Sequence, residues 1–294
     1  MTLRAAVLGH PISHSKSPAL HRAAYAKLGV EVAYDAVDVT EDALPAFMVG
    51  VRGDDSWRGL SVTMPLKAAM AAEVDDIRGV ARQLGVINTV AFEPADAAGG
   101  GRARLVGYNT DVAGIVNAVR YAGVAAEPSA VVLGGGGTAA AAVAALKELG
   151  APSVVLYARD VGRAAEARTA AAAVGLPLQV LPLTAAAPAV AAADVVISTL
   201  PPRAADGLAK ELATALDANG GAVAGVLLDV AYDPWPSRIA AAWADAGGRV
   251  VPGLEMLLYQ AVEQVRHFTG LEGPLPAEVI DVMCDAVGAP RRVF

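Results

Sequence analysis

The chain has 294 residues, of which 55% are hydrophobic and 18% charged, and its formal net charge is −7. This length fits one large domain or two medium ones, and the acidic balance argues against a nucleic-acid-binding surface, which needs a basic stripe. The single cysteine, Cys284, excludes an intramolecular disulfide and a cysteine zinc cluster, and the four histidines lack the spacing of metal ligands. No apolar run reaches the roughly 18 residues of a membrane span. The sequence therefore predicts a soluble, cytoplasmic protein without a metal site.

In the first third of the chain, short apolar runs alternate with helical patterns. Strands alternating with helices predict an α/β layer structure with a largely parallel sheet. The predicted strands are 4–8, 31–37, 60–63, 86–92 and 104–106, the predicted helices are 18–28, 41–51, 66–73 and 75–83, and 94–102 is a predicted loop.

The middle of the chain repeats a strand–helix unit, which is typical of a doubly wound nucleotide-binding domain. The predicted strands are 130–133, 153–157, 193–199, 225–230 and 249–251, and the predicted helices are 111–122, 138–149, 164–174 and 237–246. Two further helices, 254–269 and 276–287, have no strand after them and are expected to pack back on the first unit. We therefore expect a discontinuous domain, 1–111 plus 250–294, and a Rossmann-like domain, 112–249.

The strongest local motif is G-x-G-x-x-A, placed between a predicted strand and a predicted helix. In this motif Gly134 permits a tight turn, Gly136 lets a pyrophosphate approach the backbone, and Ala139 keeps helix and strand close. The amides of Gly137 and Thr138, at the start of the helix, would then bind phosphate. The alternative is a flexible glycine turn without a ligand.

The end of the next strand predicts which dinucleotide binds. An NAD site usually has an acidic residue there, whereas this chain has Ala158. Arg159 and Arg163 are suited to a 2′-phosphate through their planar forks of donors, so NADP is favoured over NAD. A solvated, basic helix start is the alternative. Asp160 would repel the phosphate unless it caps the next helix.

The stretch 59–67 contains a buried strand followed by a proline and a lysine. The strand is predicted to end at Thr63, and Pro65 interrupts the ladder and can open a helix. Lys67 follows among small and apolar neighbours, a position that suits proton transfer. The alternative is a solvated lysine on a first helical turn.

Ser17 and Asp111 have two interpretations each, and Ser15 shares the first interpretation of Ser17. The hydroxyls of Ser15 and Ser17 could hold a carboxylate of a small substrate, or Ser17 could cap the helix that follows. Asp111 lies at the turn into a helix and could be its N-cap. A carboxylate beside Lys67 would instead keep that lysine protonated and orient it.

Five motifs, in this order along the chain, resemble those of the shikimate dehydrogenase family. Residues 9–18 (GHPISHSKSP) resemble its substrate loop, and residues 61–67 (SVTMPLK) resemble its N-V-T-x-P-x-K motif. Residues 87–90 (INTV) and 107–111 (GYNTD) resemble I-N-T-V and G-x-N-T-D, and residues 253–261 (GLEMLLYQA) resemble the last signature of the family.

The resemblance implies reversible, NADP-linked reduction of 3-dehydroshikimate to shikimate in aromatic amino-acid biosynthesis. It also implies two α/β domains with the active site in the cleft between them, and a monomer or homodimer whose partner is a small molecule. The alternatives are an NAD-dependent quinate/shikimate dehydrogenase and a non-catalytic protein that senses a dinucleotide or shikimate.

The family motifs also imply a role for individual residues. Lys67 with Asp111 would be the catalytic pair, and Tyr232 and Gly253 would lie near the nicotinamide and the substrate. The substrate carboxylate would bind Ser15 and Ser17, and the ring hydroxyls would bind Thr63, Lys67, Asn88, Asp111 and Gln260.

The chain departs from the family patterns in three motifs. Ser61 replaces the usual asparagine, Ala158 and Asp160 replace the asparagine and threonine of N-R-T-x-x-[RK], and 198–202 (STLPP) differs from the usual N-A-T segment.

Overall fold

The computed structural model describes residues 2–94, 102–218 and 221–291. The chain forms two compact units, Met1–Thr110 with Gln260–Phe294, and Asp111–Tyr259. The predicted loop at 94–102 lies outside the described residues apart from its two ends. Within the described ranges, no helix is both long and apolar enough to cross a membrane.

The first unit contains a six-stranded sheet with the order β2-β1-β3-β5-β6-β4, in which β5 runs antiparallel to both its neighbours and the other pairs are parallel. The last five residues of β1 are all buried, as expected for a central strand covered on both faces. The strands are β1 Leu3–Gly9, β2 Val32–Asp38, β3 Trp57–Val62, β4 Asp76–Ile77, β5 Thr89–Glu93 and β6 Arg104–Tyr108, and the helices are α1 Ser17–Leu28, α2 Leu44–Arg52 and α3 Val80–Leu84.

The predicted helices at 66–73 and 75–83 are largely wrong. The first is reduced to one 3₁₀ turn, Ala69–Ala72, and the second contains strand β4 and the short α3. For the second segment the reason is tertiary: β4 pairs with β6, and the carboxylate of Asp76 on β4 lies 3.4 Å from the guanidinium of Arg104 on β6. Pairing in the sheet outweighs the local helical pattern.

The second unit contains a six-stranded, fully parallel sheet with the order β12-β11-β10-β7-β8-β9, which is the doubly wound arrangement. The sequence patterns missed β9, α7 and α8; β9 is an edge strand without a fully buried residue. The strands are β7 Ala130–Leu133, β8 Val154–Ala158, β9 Leu178–Pro182, β10 Val195–Ser198, β11 Val226–Asp229 and β12 Arg249–Pro252, and the helices are α4 Asp111–Tyr121, α5 Gly137–Glu148, α6 Ala165–Val174, α7 Ala187–Ala192, α8 Asp206–Ala218 and α9 Arg238–Asp245.

Helix α5 is buried along most of its length. Residues 139–146, six of them alanine, are each at most 5% exposed. The helix packs against α4, α6 and β7. Because an alanine side chain is a single methyl group, these elements approach the helix closely.

The last two helices are α10 Gly253–Thr269 and α11 Ala277–Val287, close to the predicted bounds. From Gln260 onward they belong to the first unit, where α11 packs against α1. A Cβ at Gly59 on β3 would overlap the ring of Phe268 on α10. This glycine therefore allows the C-terminal half of α10 to lie directly on the sheet.

Candidate functional site

Lys67 follows a fixed turn at the end of β3. Thr63 donates its N–H to the carbonyl of Leu8 at 2.9 Å and accepts the N–H of Leu66 at 2.9 Å, while the Leu66 side chain is fully buried. The carbonyl of Lys67 accepts the N–H of Ile87 at 2.9 Å. The lysine is half-buried, and the segment is a turn rather than the helix that Pro65 was expected to open.

The substrate-loop serines occupy the start of α1. The N-cap residue is Lys16, with no side-chain capping bond, and Ser17 is the buried first residue of the helix. The interpretation of Ser17 as the N-cap is therefore wrong, because Ser17 is the first residue of the helix and Lys16 occupies the capping position. Ser15 is half-buried, and its hydroxyl accepts the N–H of Ser17 at 3.3 Å.

The loop that carries these serines is tied to the end of β2. His10 Nδ1 lies 2.6 Å from Asp38 Oδ1, and the N–H of Ile12 donates to Asp38 Oδ2 at 3.3 Å. The hydrogen bond from His10 holds the pKa of Asp38 below its usual value. The Asp38 carboxylate thereby anchors the loop five residues before Ser15.

Asn88 is buried among hydrogen-bonding groups that fix the orientation of its amide. Its Oδ1 accepts the N–H of Thr110 at 2.7 Å and the hydroxyl of Thr89 at 2.8 Å. Its Nδ2 donates to Thr110 Oγ1 at 2.9 Å and to Gln260 Oε1 at 3.3 Å. Because a backbone N–H can only donate, Oδ1 and Nδ2 are distinguished by the network itself.

A second set of buried polar side chains lies next to Asn88. Gln264 Nε2 donates to the Asn88 carbonyl at 3.1 Å and to Thr89 Oγ1 at 3.0 Å. Ser61 donates to Gln264 Oε1 at 2.8 Å and accepts the hydroxyl of Tyr34 at 2.6 Å. The serine that departs from the family motif is therefore fully engaged within the core of the first unit.

His21 completes this buried network. Its ring stacks on Tyr34 at 4.0 Å between centroids, Nε2 lies 3.2 Å from Gln264 Oε1, and Nδ1 lies 3.1 Å from the hydroxyl of Tyr25. Burial lowers the pKa of His21 to about 3 and raises the pKa values of both tyrosines. All three side chains are therefore neutral at physiological pH.

The remaining predicted site residues are divided between the units. Asp111 is the buried first residue of α4, in the second unit, whereas Lys67 belongs to the first. Tyr232 is half-buried after β11, on a turn held by Asp229, which accepts the Ser237 hydroxyl at 2.6 Å. A Cβ at Gly253 would overlap the carbonyl of Val230. Any larger residue at position 253 would therefore clash with the backbone that follows β11.

The glycines between β7 and α5 meet different structural demands. Gly134 has φ +107°, and a Cβ there would overlap the hydroxyl of Thr199. A Cβ at Gly136, the N-cap of α5, would meet nothing within 4 Å. Ala139 is fully buried. The backbone at Gly136 is thus open to an approaching phosphate at the positive end of a 12-residue helix.

The basic residues after β8 are exposed, and the acidic residue among them is engaged. Asp160 Oδ1 accepts the N–H of Gly162 at 2.9 Å and caps the 3₁₀ turn Val161–Arg163. Asp160 also pairs with Arg163 at 3.6 Å. Arg159 and Arg163 are both solvent-exposed. The exposed Arg159 fits a dinucleotide with an additional phosphate, and Arg163 would divide its charge between that phosphate and Asp160.

Three comparisons place the chain among known proteins. Residues 7–90 match the model of the shikimate dehydrogenase substrate binding domain, and residues 253–281 match that of the shikimate 5'-dehydrogenase C-terminal domain. The shikimate dehydrogenase (NADP(+)) of Moorella thermoacetica is 35% identical over 97% of this chain and 93% of that protein. The chain belongs to the shikimate dehydrogenase family.

Solved structures of the family have the same fold. The crystal structure of Mycobacterium tuberculosis shikimate dehydrogenase gives a TM-score of 0.81 at 39% identity and covers 97% of this chain and 99% of that one. The Thermus thermophilus enzyme, solved with NADP(H) and shikimate, gives 0.75 at 32% identity and covers 97% and 99%. The predicted α/β class, with a parallel doubly wound second unit, is confirmed.

The motifs of the shikimate dehydrogenase family did not identify Gln264, His21 or Tyr34. One signal was available for Gln264, which is four residues after Gln260 and so on the same face of α10. His21 and Tyr25 have the same spacing on α1. Such a pattern is equally typical of an ordinary buried helix face, so it does not by itself predict a polar network.

Proposed function

We propose that this chain is an NADP-dependent shikimate dehydrogenase, which catalyses the reversible reduction of 3-dehydroshikimate to shikimate. It is an oxidoreductase acting on a CH–OH group in the shikimate pathway, as expected from its family. The proposal includes a cytoplasmic location and a monomeric or homodimeric state. It also assigns substrate binding to 1–111 with 250–294 and NADP binding to 112–249.

One observation in the first unit carries the proposal: a buried array of donors and acceptors beside a lysine. The backbone carbonyl of Asn88 accepts the N–H of Val62 at 2.7 Å, and Val62 is the residue before Thr63. The N–H of Ile87, the residue before Asn88, donates to the carbonyl of Lys67. A carboxylated ring with several hydroxyls needs such convergent and fixed polar groups. The second unit adds the open backbone at Gly136 and two exposed arginines.

In the proposed substrate site, Ser15 and Ser17 bind the carboxylate. The ring hydroxyls are held by Thr63, Lys67, Asn88, Asp111 and Gln260.

In the proposed chemistry, Lys67 is the general acid in the direction of reduction. NADPH, when bound, supplies the hydride. The protonated Lys67 amine stabilises the negative charge that develops on the C3 oxygen and donates a proton to it. Asp111 orients the lysine and binds the adjacent hydroxyl. In the reverse direction, the neutral lysine takes the proton back.

In the proposed cofactor site, backbone groups hold the pyrophosphate and arginines hold the 2′-phosphate. Arg159 and Arg163 favour NADP over NAD, while Tyr232 and Gly253 lie near the nicotinamide and the substrate. The pyrophosphate contacts come from Gly136, Gly137 and Thr138, while Gly134 and Ala139 shape the cofactor site through the turn and the close packing of helix and strand.

A steady-state assay that follows the absorbance of the reduced nicotinamide tests the proposal with four combinations of NADP⁺ or NAD⁺ and shikimate or quinate. We expect the highest kcat/KM for NADP⁺ with shikimate. A preference for NAD⁺ with quinate would instead identify a quinate/shikimate dehydrogenase. No shikimate-dependent reduction of either cofactor would support a non-catalytic binding protein.

A further inference from the structure

We propose that Gln264 is a positioning residue that acts together with the N–H of Thr110 to hold the amide orientation of Asn88 and, through it, that of Gln260 with the donors offered to the substrate, by a chain of buried hydrogen bonds. The inference rests on the proposed function, in which Gln260 and Asn88 hold ring hydroxyls. Gln264 is 2% exposed and lies one helical turn after Gln260.

The direction of this series of hydrogen bonds is fixed at its first end by a group that can only accept. The backbone carbonyl of Asn88 accepts from Gln264, so the atom 3.1 Å from it is the amide nitrogen Nε2. Gln264 Oε1 then faces the hydroxyl of Ser61 at 2.8 Å and Nε2 of His21 at 3.2 Å. Ser61 donates to Gln264 because Oε1 can only accept, and its own oxygen accepts the hydroxyl of Tyr34.

The same amide decides which way the hydroxyl of Thr89 points. Gln264 Nε2 donates to Thr89 Oγ1 at 3.0 Å, so that oxygen acts as an acceptor towards the helix. The Thr89 hydrogen is then available for Asn88 Oδ1, 2.8 Å away. Gln264 thus supplies the donor on the acceptor side of Thr89 and supports the hydrogen bond from Thr89 to Asn88 Oδ1, whose acceptor role the N–H of Thr110 also fixes.

The far end of the chain is set by a group that can only donate. Asn88 Oδ1 accepts the N–H of Thr110 at 2.7 Å together with the Thr89 hydroxyl, so Asn88 Nδ2 is left to donate to Gln260 Oε1. Since Oε1 of Gln260 faces Asn88, the Nε2 donors lie at the opposite end of that amide. The substrate group that Gln260 recognises is therefore an oxygen that accepts.

The consequence is a separation of tasks along one face of α10. Gln260 provides the contact, and Gln264 together with Thr110 holds the Gln260 amide in one of its two orientations. An unbiased amide would spend part of its time with an acceptor in place of a donor, which weakens substrate binding in the ground state and transition state alike.

The test compares Gln264→Met and Gln264→Glu with a matched control, Glu263→Gln. The control residue is the helix neighbour of Gln264, is half-buried and pairs with Arg266 at 2.8 Å, outside the network. Met keeps the length of the side chain and removes both amide groups, whereas an ionised Glu keeps the acceptors and removes the donors. If burial of a carboxylate prevents Gln264→Glu from folding, Gln264→Met carries the test.

We expect both Gln264 variants to raise the KM for shikimate about tenfold or more, with kcat within about threefold and the KM for NADP⁺ within about twofold of the wild type. A merely structural role would lower the melting temperature and the active fraction but leave the KM for shikimate unchanged. A folded Gln264→Met protein with a wild-type KM for shikimate would overturn the proposal.

A second measurement does not depend on activity. In ¹H–¹⁵N spectra of the unliganded protein, the side-chain amide resonances of Asn88 and Gln260 should shift or broaden in Gln264→Met and stay unchanged in Glu263→Gln. Unchanged resonances in Gln264→Met would contradict the positioning role even in a protein without dehydrogenase activity. Absence of turnover by the wild type would count against the proposed function alone.

Discussion

The two units build their candidate binding regions from different materials. In the first unit, buried side chains from positions as distant as 21 and 264 form one hydrogen-bonded network. In the second, the residues proposed to hold the phosphates of the cofactor lie between 134 and 163 and consist of open backbone, a helix start and exposed arginines. A network of buried polar groups depends on every member, whereas a backbone site depends on shape at a few glycines.

The largest expected effect is the loss of proton transfer, with the other substrate-binding and cofactor-binding residues left in place. Lys67→Ala should lower kcat by roughly 10²–10⁴, because the general acid is lost, and should change the KM for shikimate much less. Stopped-flow and steady-state kinetics measure both. Lys27→Ala, an exposed lysine on α1, is the matched control and should keep the wild-type rate. A near-normal kcat for Lys67→Ala would exclude the assignment.

Two glycine variants sharpen the contrast within the second unit. Gly134→Ala should reduce the free energy of unfolding by roughly 2–3 kcal/mol, because Gly134 has positive φ and a Cβ overlaps Thr199. Gly136→Ala should keep stability within about 1 kcal/mol and raise the KM for NADP⁺ about 10- to 100-fold, since it fills space next to the phosphate.

Urea unfolding and initial rates separate the two glycine effects. Equal loss of stability in both variants would contradict the interpretation that position 136 requires glycine for cofactor binding and position 134 requires it for folding.

Acid should destabilise the first unit through His21. Its folded pKa of about 3 lies below the unfolded value of 6.5, so the unfolded chain binds more protons between these values. The contribution is fully present above pH 6.5 and is lost as the pH falls towards 3. From pH 7 to pH 5 the expected loss is about 2 kcal/mol.

Urea unfolding at the two pH values, compared between the wild type and His21→Gln, measures this term. Tyr25 and Tyr34 face the ring and stay neutral in this range, and the carboxylates contribute to both proteins alike. Equal pH dependence in both proteins would refute the assignment.

The smallest expected effect concerns exposed charge. Arg159→Ala and Arg163→Ala should each raise the KM for NADP⁺ about fivefold and hardly change that for NAD⁺, because an exposed ion pair contributes about 1 kcal/mol or less. The ratio of kcat/KM values for the two cofactors measures the effect. Arg168→Ala, an exposed arginine on α6, is the control. An unchanged ratio would show that the 2′-phosphate is bound by residues other than Arg159 and Arg163.

Local patterns predict the backbone part of the second unit well. Strand β7 was predicted with its observed bounds, and α5 to within one residue at each end, because the buried strand, the glycines and the alanine run are contiguous. Gly134 and Gly136 could also be chosen from spacing alone. The spacing does not show that a side chain would clash at Gly134 and not at Gly136, because the clash at Gly134 is with Thr199, 65 residues later in the sequence.

The polar network of the first unit could be predicted only in part. The family motifs select Asn88 and Gln260, but Ser61 and Gln264 are 203 residues apart, and nothing local pairs a serine on β3 with a glutamine on α10. The same limit explains the failed helix at 75–83, where Asp76 pairs with distant Arg104 at 3.4 Å. Pairings between distant segments decide both cases.

The alanine run of α5 affects how mutational tolerance in this protein should be interpreted. With positions 139–146 all enclosed, an added methylene has no free direction to occupy and must displace α4, α6 or the sheet. In a saturation scan, these chemically inert positions should be as intolerant as Lys67. Intolerance there would report the lack of space around a methyl group, so it would not identify participants in the reaction.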